Sequence, residues 1–309
     1  MSGTIEVHGG DYEHVLALPG VHNGVDIRYV IGRPNEIFAR MLRERAYEAC
    51  EFSLANFLML RDRGAEWLRA LPIFPYRAFR HATLHVRKDS PLQSPADLPG
   101  RRIGVLDFSM TAAVWTRGIL SDQYGVRWSD LHWVVSGAQR FPHLPGVTLE
   151  QFSGDLEDAL VAGAVDVLLA VATSDRGKAP AERRLRPLIA DVEAEEWRYY
   201  RDFGIYPINH TVVVRTDALA RLPALPVALW QGYAEAKAQA YRRKLGTTLV
   251  PWGASHWQKM FEAFGGDPLP YGLNAANRKV VERLAHYLFD QRLISAVPDI
   301  ETLFIDPNR

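Results

Sequence analysis

Short apolar runs alternate with amphipathic stretches along the first part of the chain. Residues 5–8 and 25–31 read as strands, and over residues 34–45 the apolar positions Ile37, Met41 and Leu42 share a helical face opposite Arg40, Arg43 and Glu44. Pro34 suits the first turn of that helix. Residues 47–52 predict a further strand, and Ser53 an N-cap for a helix carrying Leu54, Phe57 and Leu58 that stops at Gly64. This βαβα order predicts a mostly parallel sheet with helices on its faces, whose ligands lie beyond the carboxyl ends of the strands.

The rhythm breaks over residues 71–87, where Pro72 and Pro75 precede an extended run, and again in the Pro-rich loop 90–100 with its acidic Asp97. It resumes with a strand at 101–106, a helix from about 109 to 121 and a strand at 165–171. A second extended run, 206–215, carries the chain back, and helices near 218–245 and 274–293 finish it. Two crossings predict two α/β lobes around a cleft: a discontinuous lobe I of residues 1–84 and 208–309, and lobe II of residues 85–207.

With 309 residues, 48% hydrophobic and 23% charged, the chain has material for one large or two medium domains, which excludes a disordered tail or a coiled coil. Thirty-six Lys and Arg balance thirty-six Asp and Glu, so no net field draws the chain to nucleic acid or to an anionic membrane. The most apolar segment, 159–172, is interrupted by Asp166 and falls short of the ~20 residues that span a bilayer. The first ten residues lack the basic-then-apolar pattern of an export signal, and the expectation is a cytoplasmic protein. A single cysteine, Cys50, excludes an internal disulfide, a CxxC pair and a thiolate-rich zinc site. GxGxxG, Walker A, GxSxG and HExxH are absent, which argues against nucleotide binding, serine hydrolysis and zincin chemistry.

The candidate chemistry gathers near the crossings. Phe74-Pro75-Tyr76-Arg77-Ala78-Phe79-Arg80-His81 places two guanidinium groups and an imidazole within five residues, a set that suits carboxylate capture and proton transfer; a solvated amphipathic loop is the plain alternative. If residues 81–87 form one strand, His81 and His85 face the same side but lie about 13 Å apart at ~3.3 Å per residue, too far to share a metal ion. His210 lies in the returning run, where it can approach His81 or be a buried structural histidine. Ser53 and Thr111 sit at helix N-termini, where free amides favour an anion, although caps need no ligand. Trp115 can wall an aromatic ring, Thr173 follows the strand at 165–171, and Tyr271 lies in a turn before a helix; these complete the candidate binding set. His8, His14, His22, His132, His143, His256 and His286 lack metal-ligand spacing and read as surface or structural, His14 least clearly.

Five segments together resemble the 4,5-dihydroxyphthalate decarboxylases, relatives of the type II periplasmic binding proteins: FPYRAFRH (74–81), VRKDSPLQSPADLPGRRIGV (86–105), MTAAVWTRGILSDQYGV (110–126), GIYPINHTVVVRTD (204–217) and PYGLNAANR (270–278). The resemblance implies the two-lobed binding-protein fold, a cytoplasmic homo-oligomeric enzyme, and release of CO2 from a hydroxylated aromatic acid, most simply 4,5-dihydroxyphthalate to 3,4-dihydroxybenzoate. The chain departs from the family pattern after Asp11 and Tyr12, where it reads Glu13-His14-Val15, and over residues 135–148, which lack a longer acidic insertion. Both departures bear on the identity of the substrate.

In such a substrate each carboxylate is para to a hydroxyl, so the ring itself carries the electrons and no organic cofactor is required. The sequence leaves room for a divalent ion on carboxylates such as Glu51. The expected roles are Arg77 and Arg80 as carboxylate clamp with Ser53 and Thr111, and His81 and His210 as proton-transfer groups. Two other readings stand beside this one: a non-catalytic binder or sensor of an aromatic acid, and a decarboxylase of another phthalate or hydroxybenzoate.

Overall fold

A computed structural model describes residues 3–142, 145–247 and 250–307. His143 lies outside the described residues. Contacts divide the chain into two compact units, one drawn from residues 1–77, 210–278 and 298–309, the other from residues 78–209 and 279–297.

In the first unit the described residues form a six-stranded sheet. Its strands are β1 (Gly3–Gly9), β2 (Gly20–His22), β3 (Val25–Ile31), β4 (Ala49–Ser53), β5 (Leu68–Leu71) and, from much later in the chain, β12 (His210–Arg215). Their order is β2-β3-β1-β4-β12-β5, with β1 parallel to β3 and β4 and the other pairings antiparallel. Helix α1 (Pro34–Glu44) starts on its proline and buries Ile37, Phe38 and Met41. Helix α2 (Leu54–Asp62) is capped as its sequence predicts, the Ser53 hydroxyl accepting from the Asn56 amide at 3.2 Å. The long α7 (Leu225–Leu245) lays Leu225, Leu229, Tyr233 and Ala236 on a core shared with Ile5, Val7, Val25 and Ile27. It is separated from α6 (Thr216–Arg221) at Pro223, which has no amide to continue a helix and disfavours helical backbone at Leu222.

The second unit holds β6 (Leu84–Arg87), β7 (Arg102–Val105), β8 (His132–Ser136), β9 (Leu149–Phe152), β10 (Val167–Leu169) and β11 (Leu185–Pro187) in the order β11-β6-β10-β7-β8-β9. The last four of these are mutually parallel; β6 runs against them, and β11, antiparallel to β6, runs in their direction. Helices α3 (Thr111–Tyr124), α4 (Leu156–Val161) and α5 (Val192–Phe203) belong here. Both sheets are therefore mixed, with a parallel centre. The antiparallel members include β6, which opens the second sheet, and β12, which resumes the first.

Three other features differ from the sequence expectation. The run 81–87 is not one strand, because the Thr83 amide and hydroxyl both donate to the Arg80 carbonyl, at 3.2 and 2.6 Å, and close His81–Thr83 into a single 3-10 turn before β6. The units divide after residues 77 and 209 rather than 84 and 207. Residues 279–297, assigned above to lobe I, pack in the second unit: on the helix Ala275–Asp290 the Tyr287 ring lies so close to Gly118 that a β-carbon there would fall 2.1 Å from it, and Gln291 accepts from the buried Arg117 Nε at 2.7 Å. No helix among the described residues is long and apolar enough to cross a membrane.

Candidate active site

All five residues of β4 are buried, and the third is an acid. A lone carboxylate in such a place would be strongly disfavoured unless several donors converged on it. They do. Glu51 Oε2 accepts from the Gly10 amide at 2.7 Å, and Oε1 accepts from the Tyr12 hydroxyl at 2.9 Å and lies 2.5 Å from Nδ1 of His210. Burial by itself would raise the Glu51 pKa, but the His210 imidazole and the Gly10 and Tyr12 donors outweigh it and bring the group below its ordinary value. The carboxylate is thus ionised at neutral pH, which makes His210 Nδ1 the donor. The imidazole is held from behind with its other nitrogen turned away from Glu51. Its side chain retains 14% exposure.

The position follows from topology. Gly10 extends β1 and Glu51 nears the end of β4, two parallel strands whose carboxyl ends lie together, and β12 begins beside them with His210. This is the edge at which α/β sheets bind ligands. The backbone must come close here: a β-carbon on Gly9 would sit 2.3 Å from the Tyr29 hydroxyl, and one on Gly10 2.4 Å from the Tyr12 ring. Aromatic rings fix the imidazole plane. Tyr76 stacks on His210 at 4.9 Å, Phe38 meets it edge-on at 4.9 Å, and the stack continues through Tyr12 to His14. His14 hydrogen-bonds the Pro75 carbonyl at 2.8 Å, and burial lowers its pKa despite that bond.

Among the residues picked out from sequence, His210, Arg77, Ser53 and Tyr271 fall in this first unit. Arg77 is buried and donates to the Pro270 carbonyl at 2.9 Å and to the Asn277 side chain, whose own amide holds the Pro270 and Gly272 carbonyls at 2.9 and 2.6 Å. Ser53 serves as the α2 cap. Tyr271 packs under the Lys237 ammonium, 4.1 Å from its ring centroid.

Arg80, His81, Thr111, Trp115 and Thr173 fall in the second unit. Arg80 Nε donates to Asn209 at 2.9 Å. His81 is enclosed, its Nε2 2.7 Å from the Gln123 amide oxygen; because the Gln123 amide nitrogen donates to Glu195, that oxygen faces His81 and the ring proton sits on Nε2. Thr111 is the first residue of α3 and buried, and Thr173 is half-buried in a turn after β10. Trp115 is fully buried against Tyr287 and gives its indole N–H to the Ile208 carbonyl at 2.9 Å, so here it supports the segment leading to His210.

Sequence reasoning reached His210 but passed over what surrounds it. From the sequence Glu51 reads only as a carboxylate open to a divalent ion, His14 as surface or structural and least clearly so, and Gly10, Tyr12 and Tyr76 carry no role. An acid inside an apolar strand, preceded in the chain by the run Gly9-Gly10-Asp11-Tyr12, was the available signal. Among the described residues no three His, Cys, Asp or Glu side chains gather so as to hold a metal ion.

No protein-family model matches the chain. It is similar to the 4,5-dihydroxyphthalate decarboxylase of Comamonas testosteroni, with 32% identity over 278 residues that span 84% of this chain and 83% of that one. A protein of the same name from Pseudomonas putida is 38% identical over 128 residues, 41% of this chain and 50% of its own length. Among solved structures, the periplasmic aliphatic sulphonate binding protein SsuA of Escherichia coli aligns with a TM-score of 0.57 at 14% identity, covering 98% of this chain and 92% of that one. The alkanesulfonate-binding SsuA of Xanthomonas axonopodis pv. citri aligns at 0.56 and 14%, covering 98% of each. At such identity these two establish the fold and nothing more.

Proposed function

Because the chain belongs to the 4,5-dihydroxyphthalate decarboxylase family, we propose that it acts on 4,5-dihydroxyphthalate itself, protonating the ring carbon through His210. Family membership makes the chain a carboxy-lyase and sets aside the reading as a non-catalytic binder. The choice of substrate and the residue roles are the proposal.

A ring hydroxyl para to the departing carboxylate pushes electron density onto the carbon that bears it. His210, held by Glu51, gives the Nε2 proton to that carbon; the bond to the carboxylate carbon then breaks, its electron pair restores the aromatic ring, and CO2 leaves. His210 regains its proton from water, so the balance is one aromatic carboxylate and one proton giving the arene and CO2. Glu51 keeps the imidazole in one tautomer and orientation, as a buried carboxylate does for a catalytic histidine elsewhere. Arg77, its guanidinium oriented by Asn277, is assigned to the carboxylate that stays. His81, committed to Gln123, is left as a supporting residue.

The observation that carries this reading is the 2.5 Å contact between Glu51 and His210, which directs Nε2 away from the carboxylate. The test is to incubate the purified protein in D2O with 4,5-dihydroxyphthalate, phthalate and 4-hydroxybenzoate and to follow CO2 and product. The expected result is turnover of the first acid alone, with one deuterium at the vacated ring carbon. Turnover of another acid in preference to it would transfer the proposal to that substrate.

A further inference from the structure

We propose that the first unit carries a second ligand site, sharing no residue with the Glu51–His210 cluster, in which Arg69 receives the carboxylate of a small aromatic monoacid. A cavity of about 570 Å³ opens there, a volume typical of small-molecule sites. Its walls bring together Arg69, Trp230, Gly272 and Phe304 with the charged residues Arg278, Glu301 and Asp306. All lie in the same compact unit.

Among the described residues, one cation on the walls has no hydrogen-bonded or ion-paired partner. Arg278 is paired with Glu301, and Asp306 has an interaction of its own. Arg69, on β5, has no hydrogen bond or ion pair from its side chain among the described residues, and its Nε–H is buried without an acceptor. A buried donor left unsatisfied is costly, and a guanidinium relieves that cost most fully by taking a carboxylate side-on through Nε and one terminal nitrogen. One unpaired guanidinium matches one carboxylate, a monoacid rather than a diacid.

The remaining walls suit a flat apolar body. Phe304 is bridged to β5 at Ala70, the residue next to Arg69, and Trp230 presents its indole from α7. The same cavity is lined at Gly272, whose φ of +87° suits glycine and where a β-carbon would already stand 3.4 Å from the Trp230 ring. Any larger side chain at that position would narrow the cavity. The site itself rests on the cavity and on Arg69; only the choice of an aromatic acid leans on the proposed reaction, whose product keeps one carboxylate.

The probe is benzoate, which has no ring hydroxyl to drive decarboxylation. Equilibrium dialysis of ring-labelled benzoate against the whole protein should show one more bound equivalent in the native chain than in Arg69→Met, with turnover of 4,5-dihydroxyphthalate in that variant within about twofold of native. Arg69→Lys, which keeps the charge but loses the side-on fork, should hold the same equivalent at least about tenfold more weakly. His210→Gln should retain it. Because the equivalents are counted without turnover, failure of the proposed reaction would leave this result standing. Equal binding of benzoate by the native protein and by Arg69→Met would overturn the site.

Discussion

Glu51 and His210 are diagonal neighbours across antiparallel strands: the register sets Glu51 opposite Val212 and His210 opposite Ser53, so the acid and the imidazole share one face of the sheet and meet at 2.5 Å. The pair is therefore built into the strand pairing and does not depend on a mobile loop.

Glu51→Gln keeps the size but turns an N–H toward groups that are themselves donors. Turnover should fall by about 10²–10³-fold, within the range of general acid–base contributions, and stability by about 1–3 kcal/mol for the donors left unsatisfied. Steady-state kinetics and urea denaturation of the variant check both.

Tyr12→Phe removes one of the donors that hold the Glu51 pKa down. A carboxylate depressed by folding contributes stability that is present above its unfolded pKa and lost as pH falls through its folded value. The variant should be less stable than native by about 1.5 kcal/mol at pH 7, the weight of a hydrogen bond to a charged group, and the difference should shrink as Glu51 is protonated on the acid side of its ordinary value of 4.5. Urea midpoints measured from neutral pH down to pH 3 show it.

The elements with long, clean periodicity were legible in the chain: β1, β3, α1, and α2 with its Ser53 cap. The short strands β2, β8, β9 and β11 were not, because so short a run shows no period, whereas β4, β7 and β10, equally short, stood out as apolar runs. Strand direction was also hidden, which is why the sheets prove mixed. Alternation suggested a strand through His81, but the local bonds from Thr83 to Arg80 form a turn instead. His210 could be reached from its neighbourhood, whereas its partner Glu51 lies 159 residues away and meets it only through strand register.

Glu196 tests the second unit. Burial, with help from the neighbouring Glu193, pushes its pKa up to about 7, while Arg80 opposes the shift and His81 Nδ1 lies 4.0 Å away. The folded state then binds more protons than the unfolded state between the ordinary value of 4.5 and about 7, so native stability should decline as pH rises through that window. Glu196→Gln should flatten the decline and be the more stable protein at pH 8, by about 1 kcal/mol once solvent screening is allowed for. Thermal melts at pH 5 and pH 8 measure the crossover.

Gly118→Ala would drive a methyl into the Tyr287 ring, whose nearest atoms lie 2.1–2.4 Å from the new carbon. Overpacking of this kind costs about 1–3 kcal/mol. Denaturant unfolding should show the loss, and Gly100→Ala, where no atom stands within 4 Å but φ is +77°, provides a comparison in which backbone strain acts alone.

The most direct measurement is single-turnover release of labelled CO2 from 4,5-dihydroxyphthalate by native protein and by His210→Gln, with substrate binding measured in parallel. The expected result is a rate at least about 10²-fold lower in the variant with binding nearly unchanged, as for loss of a proton donor. A variant that binds and releases CO2 at the native rate would show that the ring carbon takes its proton from another group.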